Sequence, residues 1–189
     1  MIDEDGEIEH AGTPHLSPRD LDRFEELVLH HLDAAHNLAR YLLRDAHEAE
    51  DAVQESCLRA VRHFRGFRGG DGRAWLLTIV RHTCFTHLRR RGAAAAVGVP
   101  FEEEVHSVED EDAGPEADLA RVLAAERLQE ELARLPLEFR EVLVLRELEG
   151  LAYKEIAEVT GVRIGTVMSR LSRARRQLIA ALAGAEERA

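Results

Sequence analysis

"AYKEIAEVTGVRIGTVMSRLSRARRQL", residues 152–178, decides how the chain is read. Apolar residues recur three and four apart on either side of Gly161, with too few residues between the runs for anything but a tight turn. The spacing predicts a short helix over 153–159 that buries Ile156 and Ala157. A longer second helix follows and buries Ile164, Val167, Met168, Leu171 and Leu178. Small Ala157 lets the two helices approach, Gly161 permits the sharp turn and Val162 fills the angle between them. This is helix-turn-helix spacing. The other face of the second helix carries Arg163, Thr166, Ser169, Arg170 and Arg173, with Arg176 further along. In DNA-binding proteins of this kind the second helix enters the major groove. Arginine there bridges guanine acceptors, while serine, threonine and further arginines engage phosphates. Spacing alone fits a helical hairpin with a solvated arginine face as well.

A basic helix sits oddly in a 189-residue chain of net charge −11, until the charge is divided along the sequence. Residues 1–22 balance at −6, 23–101 at +3, 102–118 at −9 and 119–189 at +1. The acid is concentrated in two segments, and the apolar-rich blocks are neutral to slightly basic. Residues 1–17 read as an acidic disordered tail. Residues 93–118, with Gly, Pro and the acidic run, read as a flexible acidic linker. No apolar run approaches the roughly 18 residues that span a bilayer, and "MIDEDGEIEH" has neither part of a secretory signal. Two cysteines, Cys57 and Cys84, make no disulfide framework, so a cytoplasmic protein without membrane insertion is expected.

The rest of the chain is helical in pattern. "RFEELVLHHLDAAHNLARYLLRD" (23–45) reads as one amphipathic helix and "AHEAEDAVQESCLRAVRHF" (46–64) as a second. "RGFRGGDG" (65–72), with four glycines, is a loop. "RAWLLTIVRHTCFTHLRRR" (73–91) is a third helix, with arginines at the end that suits them. Beyond the linker, "LARVLAAERLQEELARL" (119–135) and "PLEFREVLVLRELEG" (136–150) resume, Pro136 marking a start and Gly150 a stop. The expected fold is all-α: two small helical domains, 18–92 and 119–184, joined by the linker, with the helix-turn-helix in the second and a tail at 185–189.

Two stretches together resemble a known family. "LPLEFREVLVLRELEGLAYKEIAEVTGVRIGTVMSRLSRARRQL" (135–178) is similar to region 4 of bacterial sigma factors of the extracytoplasmic-function group. "AEDAVQESCLRAVRHFRGFRGGDGRAWLLTIVRHTCFTHLRRR" (49–91) resembles their region 2. The matches run over about residues 20–92 and 120–183, in the family's order. The resemblance implies a factor that binds core RNA polymerase and promoter DNA, is restrained by an anti-sigma protein, and leaves the chemistry to the polymerase.

It also implies site residues. Region 2 docks on the polymerase through the surface matching "EDAVQESCLRA", here Asp51, Gln54, Glu55 and Arg59, with Val53 and Cys57 turned inward. The −10 element is matched by the loop and the helix after it: Phe64, Arg65, Phe67, Arg68 and Asp71, then Arg73, Arg81, His82 and Arg89. Extracting a base from its stack takes a few kcal/mol, which stacking and hydrogen bonds must recover. Core packing is the competing role for Phe64, Phe67 and Trp75. The −35 element falls to Arg163, Thr166, Ser169, Arg170 and Arg173. Arg163 stands where the family often has proline and Met168 where lysine is frequent, so promoter preference does not transfer. In the family the linker threads through the basic polymerase cleft. Here Glu102–Glu104 and Glu109–Asp112 act either as a solvated spacer or as a nucleic-acid mimic able to fold over the basic faces.

No catalytic site, metal site or cofactor is expected. His82, Cys84 and His87 point at roughly 0°, 200° and 140° around one helix and do not converge. No nucleophile–base pairing or phosphate-binding loop appears elsewhere. The rival functions are a stand-alone helix-turn-helix regulator and a module that binds only protein.

Overall fold

A computed structural model of the chain describes residues 17–95, 125 and 127–186, and every regular element among them is helical. The acidic tail, the linker beyond residue 95 and the last three residues lie outside these.

Helix α1 (Pro18–Leu29) starts where side-chain chemistry starts it. The Ser17 hydroxyl accepts the Asp20 N–H at 3.2 Å, and Pro18, with no N–H to leave unsatisfied, takes the first position. The run 23–45, expected as one helix, is two. Helix α1 ends at Leu29 and α2 spans Leu32–Leu43. Between them the His31 N–H takes the Val28 carbonyl at 3.0 Å, a tightened turn at two residues of modest helix propensity. The break leaves α1 free to lay Phe24 edge-on against Phe64, with ring centroids 5.3 Å apart. Helix α2 ends on Arg44 in the left-handed region (φ 63°), its N–H bonded to the Arg40 carbonyl.

Helix α3 (Ala46–His63) is capped by Asp45, whose carboxylate accepts the Glu48 N–H at 2.7 Å. A 3-10 turn (Phe64–Gly66) and the glycine loop lead into α4 (Gly72–Ala95), which outruns the expected end at residue 91. Helices α2, α3 and α4 pack on one another around Leu38, Leu42, Val53, Leu76 and Val80.

The second block holds α5 (residues 127–134), α6 (Leu137–Leu143), a π-helical turn (Val144–Leu148), α7 (Tyr153–Thr160) and α8 (Ile164–Glu186). Gly161 ends α7 at φ 70° and supplies the expected turn. The burial on α8 differs from the sequence reading. Ile164 is 45% exposed and Met168 53% exposed, while Val167, Leu171 and Ala174 are buried and Leu178 half-buried. The buried stripe is centred on those four. Ile164 and Met168 lie roughly 50° and 90° round the helix from its centre, beyond the cover of α7. Ala157 and Val162 are half-buried at the turn and pack on the core. The two blocks meet along α2 with α6 and α4 with α7.

Candidate nucleic-acid interface

On α8 the residues Arg163, Ser169, Arg173 and Arg176 are exposed, whereas Thr166 and Arg170 are half-buried. Ser169 donates its hydroxyl proton to the Thr166 carbonyl at 2.9 Å, which leaves its lone pairs outward. Arg170 is half-buried near the middle of this face, and its charge is felt by Glu141 of α6. Arg175, beside these, is spent on Glu147 at 2.9 and 2.6 Å.

The glycine loop separates the residues that sequence placed together. Phe64 is 4% exposed and belongs to the core, the competing role that the sequence left open for it, and is not an exposed base-pocket side chain. Phe67 is half-buried, stacked 6.3 Å from Phe64 and tilted 5.0 Å from Trp75, while its chain neighbours Arg65 and Arg68 are exposed. Gly69 and Gly70 hold φ of 92° and 110°, which side chains rarely adopt. Asp71 serves as the cap of α4: its carboxylate accepts the N–H groups of Arg73 at 2.9 Å and Ala74 at 3.2 Å. Along α4, His82 and Arg89 are exposed. Partial burial, then the Arg81 and Arg59 charges, hold the His82 imidazole below its ordinary range. Arg81 is half-buried over the Phe85 ring, 4.3 Å from its centroid.

Of the polymerase-facing set, Asp51 and Gln54 are exposed, and Leu58, 60% exposed, follows on the same side of α3. Sequence reasoning passed over Leu58 because it lies off the apolar stripe. Glu55 and Arg59 are half-buried and bonded to each other, Arg59 Nε to Glu55 Oε1 at 3.1 Å. The other Glu55 oxygen meets His87 Nε2 at 3.0 Å. The His87 hydrogen bond and then Arg59 hold this carboxyl below the usual carboxylate range, against the effect of burial. This pair ties α3 to α4.

Sequence reasoning also missed the charged groups where the blocks meet. Arg73 donates Nη2 to Glu149, and Arg81 donates Nε to Glu141. Asn37 Nδ2 reaches the other Glu149 oxygen at 3.1 Å. Arg140, 6% exposed, donates to the carbonyls of Tyr41, Ala133 and Leu135 at 2.9–3.1 Å. Burial, then the Arg44 charge, brings its guanidinium down to about 10. A signal did exist: Glu141 and Glu149 flank Leu145 at four-residue steps within an apolar run, where a solvated carboxylate has no place.

Burial pushes the Cys84 thiol up to about 12 and raises Cys57 as well, so neither is a ready thiolate. Among the described residues no three His, Cys, Asp or Glu side chains are placed to hold a metal ion.

Residues 27–94 match the family described as Sigma-70 region 2, and residues 125–178 match Sigma-70, region 4. The ECF RNA polymerase sigma factor SigE of Mycolicibacterium smegmatis is 38% identical over 82% of this chain, which spans 60% of that relative's length. The RNA polymerase sigma-H factor of Pseudomonas aeruginosa is 34% identical, with 84% of this chain and 86% of the relative covered. Among solved structures, the sigma factor RpoE of Bartonella quintana, in complex with the anti-sigma factor NepR, is similar with a TM-score of 0.72. It is 29% identical, with 85% of this chain and 97% of that one covered. With both regions matched in order and close relatives covered over most of their length, the chain belongs to the extracytoplasmic-function group of RNA polymerase sigma factors.

Proposed function

We propose that this chain binds core RNA polymerase and directs it to promoters, the N-terminal block (18–92) acting at the −10 element and the C-terminal block (119–184) at −35. The observation that carries the reading is the outward face of α8. Arg163, Ser169, Arg173 and Arg176 are exposed on the second helix of a helix-turn-helix whose turn Gly161 fixes. The loop with Arg65, Phe67 and Arg68, and then Arg73, Arg81, His82 and Arg89 of α4, supply the −10 contacts. Asp51, Gln54 and Leu58 of α3 supply the exposed part of the polymerase surface, and Glu55 and Arg59 hold that helix in place. The chain has no catalytic role of its own; the polymerase performs the synthesis.

An anti-sigma protein is a proposed partner, supported by the similarity to RpoE held by NepR. A cytoplasmic location fits a partner of polymerase, and no helix among the described residues is long and apolar enough to cross a membrane. The test is run-off transcription with purified core polymerase. Promoter-dependent transcripts that require the added chain are expected. Duplex binding without any transcript would leave the stand-alone regulator instead.

A further inference from the structure

We propose that helix α1 forms part of the −10 site: Arg23 holds a phosphate of the melted strand beside the base that the glycine loop captures. This rests on the assignment of that loop to the −10 element made above.

The packing of α1 points to DNA where its charge does not. The helix sets Asp20, Asp22, Glu25 and Glu26 against two arginines, Arg19 and Arg23. Yet it lies along the glycine loop. Phe24 stands edge-on to Phe64 with centroids 5.3 Å apart, and Leu27 packs so closely on Gly72 that a Cβ there would meet its Cγ at 2.6 Å. Phe64 and Gly72 bracket the loop. Arg23 stands beside Phe24 and one turn before Leu27, and its guanidinium carbon lies over the Phe64 ring, 5.9 Å from the centroid.

The direction Arg23 takes is the second observation. Asp20 and Glu26 stand three residues to either side of it, the spacing at which helical ion pairs form. Among the described residues Arg23 bonds to neither, and the Asp20 carboxylate takes the Ser17 hydroxyl at 2.7 Å instead. On α3 and α4, by contrast, Arg59, Arg73, Arg81 and Arg91 are each bonded to a glutamate. A guanidinium drawn to a ring by its face keeps its in-plane N–H groups for other acceptors. Arg23 is exposed, so those donors are open to an anion arriving from solvent. The loop brings one. A base taken out of its stack carries the phosphates on either side of it to the protein, and grooves for single strands set cations along that backbone. Arg68 on the loop and Arg19 one turn before Arg23 are exposed as well, so cations stand on both elements that meet at Phe64. Such a contact carries no sequence information; it fixes where the strand lies.

The experiment uses holoenzyme assembled from the full chain and core polymerase. The −10 phosphates of the promoter, on each strand in turn, are replaced one at a time by neutral methylphosphonates, and the lifetime of the open complex is measured after heparin challenge. With the wild type, one or two adjacent replacements should shorten it about tenfold, the loss of one charge-assisted hydrogen bond. Arg23→Met keeps an apolar cover on Phe64. It should shorten the lifetime about tenfold on the native promoter and then show no further loss at those same phosphates, while replacements elsewhere act as before. A merely structural role for Arg23 would leave the phosphate losses in place. Titration of the free chain with a fluorescent single-stranded DNA of about 20 nucleotides judges the contact without polymerase. Arg23→Met should reduce the salt slope by about 0.7, whereas Arg127→Met, which removes an exposed charge from the other block, should leave it unchanged. Phosphate losses that persist undiminished in Arg23→Met overturn the proposal, as does a wild-type salt slope for that variant. If the wild type opens no promoter, the sigma assignment falls instead, and the single-strand slope still judges Arg23.

Discussion

Gly72 opens α4 at the point where the glycine loop meets α1, and adding one methyl group there tests how that junction is packed. A Cβ at residue 72 would lie 2.6 Å from Leu27 Cγ and 2.8 Å from its Cδ1. These separations are inside contact distance, and the first involves the branch atom rather than the tip of the side chain. Overpacking of this kind costs about 1–3 kcal/mol. Opposing it, alanine gains about 0.5–1 kcal/mol over glycine in a helix and restricts the unfolded chain. At the first helical position the gain is at its smallest, so the clash wins. A net loss of roughly 1–2 kcal/mol is expected for Gly72→Ala, about 2–8 °C in Tm for a chain of this size. The decisive assay is a double-mutant cycle by thermal or guanidinium unfolding. Leu27→Ala destabilises on its own, but in its background the Gly72→Ala step should become neutral or favourable, because the methyl then has room. A stabilised Gly72→Ala single variant, or equal effects of the step in both backgrounds, would refute the contact. Because Asp71 caps α4 one residue earlier, the single variant should also slow promoter opening by shifting the loop.

Three further expectations follow from the same geometry. Replacing Phe67 and Arg68 with alanine should impair melting of the −10 region in permanganate footprinting while leaving core-polymerase binding intact; normal melting would remove the loop from the mechanism. Arg173→Ala, at an exposed site, should weaken all −35 sequences alike and lower the salt slope by about one, whereas Arg170→Ala should relax sequence choice by roughly 1–3 kcal/mol. Wild-type promoter use by both variants would mean that α8 does not read DNA. The pH dependence has a defined sign: burial, then Arg73, lowers His31, and burial, then Arg81, lowers His82, so the unfolded chain takes up protons first as pH falls through about 6.5. Stability should therefore fall between about pH 8 and 5, and less so in a His31→Gln/His82→Gln variant. Glu141, raised by burial, acts in the opposite sense, so the difference between the two proteins is the measurement and identical profiles would refute the assignment.

The sequence carried the local chemistry and lost what depends on distant partners. Ser17 and Pro18 at the head of α1, Gly150 and Gly161 at positive φ, and the helix-turn-helix itself were legible because each is decided within a few residues. The break at His30 and His31 was not, since the apolar stripe runs on from Val28 to Leu32 as if one helix continued. The burial assigned to Ile164 and Met168 failed for a related reason. Counting apolar residues at three-and-four spacing hid small Ala174 and widened the stripe beyond what α7 covers. Asp71, expected in the base pocket, also caps α4, with both backbone N–H groups on its Oδ1, a role the loop sequence did not announce. The contact between the two blocks was out of reach altogether: its hydrogen bonds join residues 60 to 112 apart.

An acidic chain keeps usable basic surface here because its carboxylates are distributed unequally among its arginines. Nearly all the cations are arginine, with Lys154 the one lysine, so each can be gripped in a fixed geometry by a glutamate fork. Within the blocks the glutamates are spent locally. Glu55 holds Arg59 and His87, Glu48 holds Arg91, Glu131 holds Arg134 and Glu147 holds Arg175. Each pair removes one arginine from competition for phosphate and contributes little to stability where it is exposed. On α8, by contrast, Arg163, Arg173 and Arg176 are exposed and share their helix face with Thr166 and Ser169, which carry no charge. Net charge is thus a poor guide to what the chain can bind. The pattern of pairing decides it, and the pairs at Glu141 and Glu149 differ from the rest in one respect. They join residues of the two different blocks, whereas each of the others lies within one block.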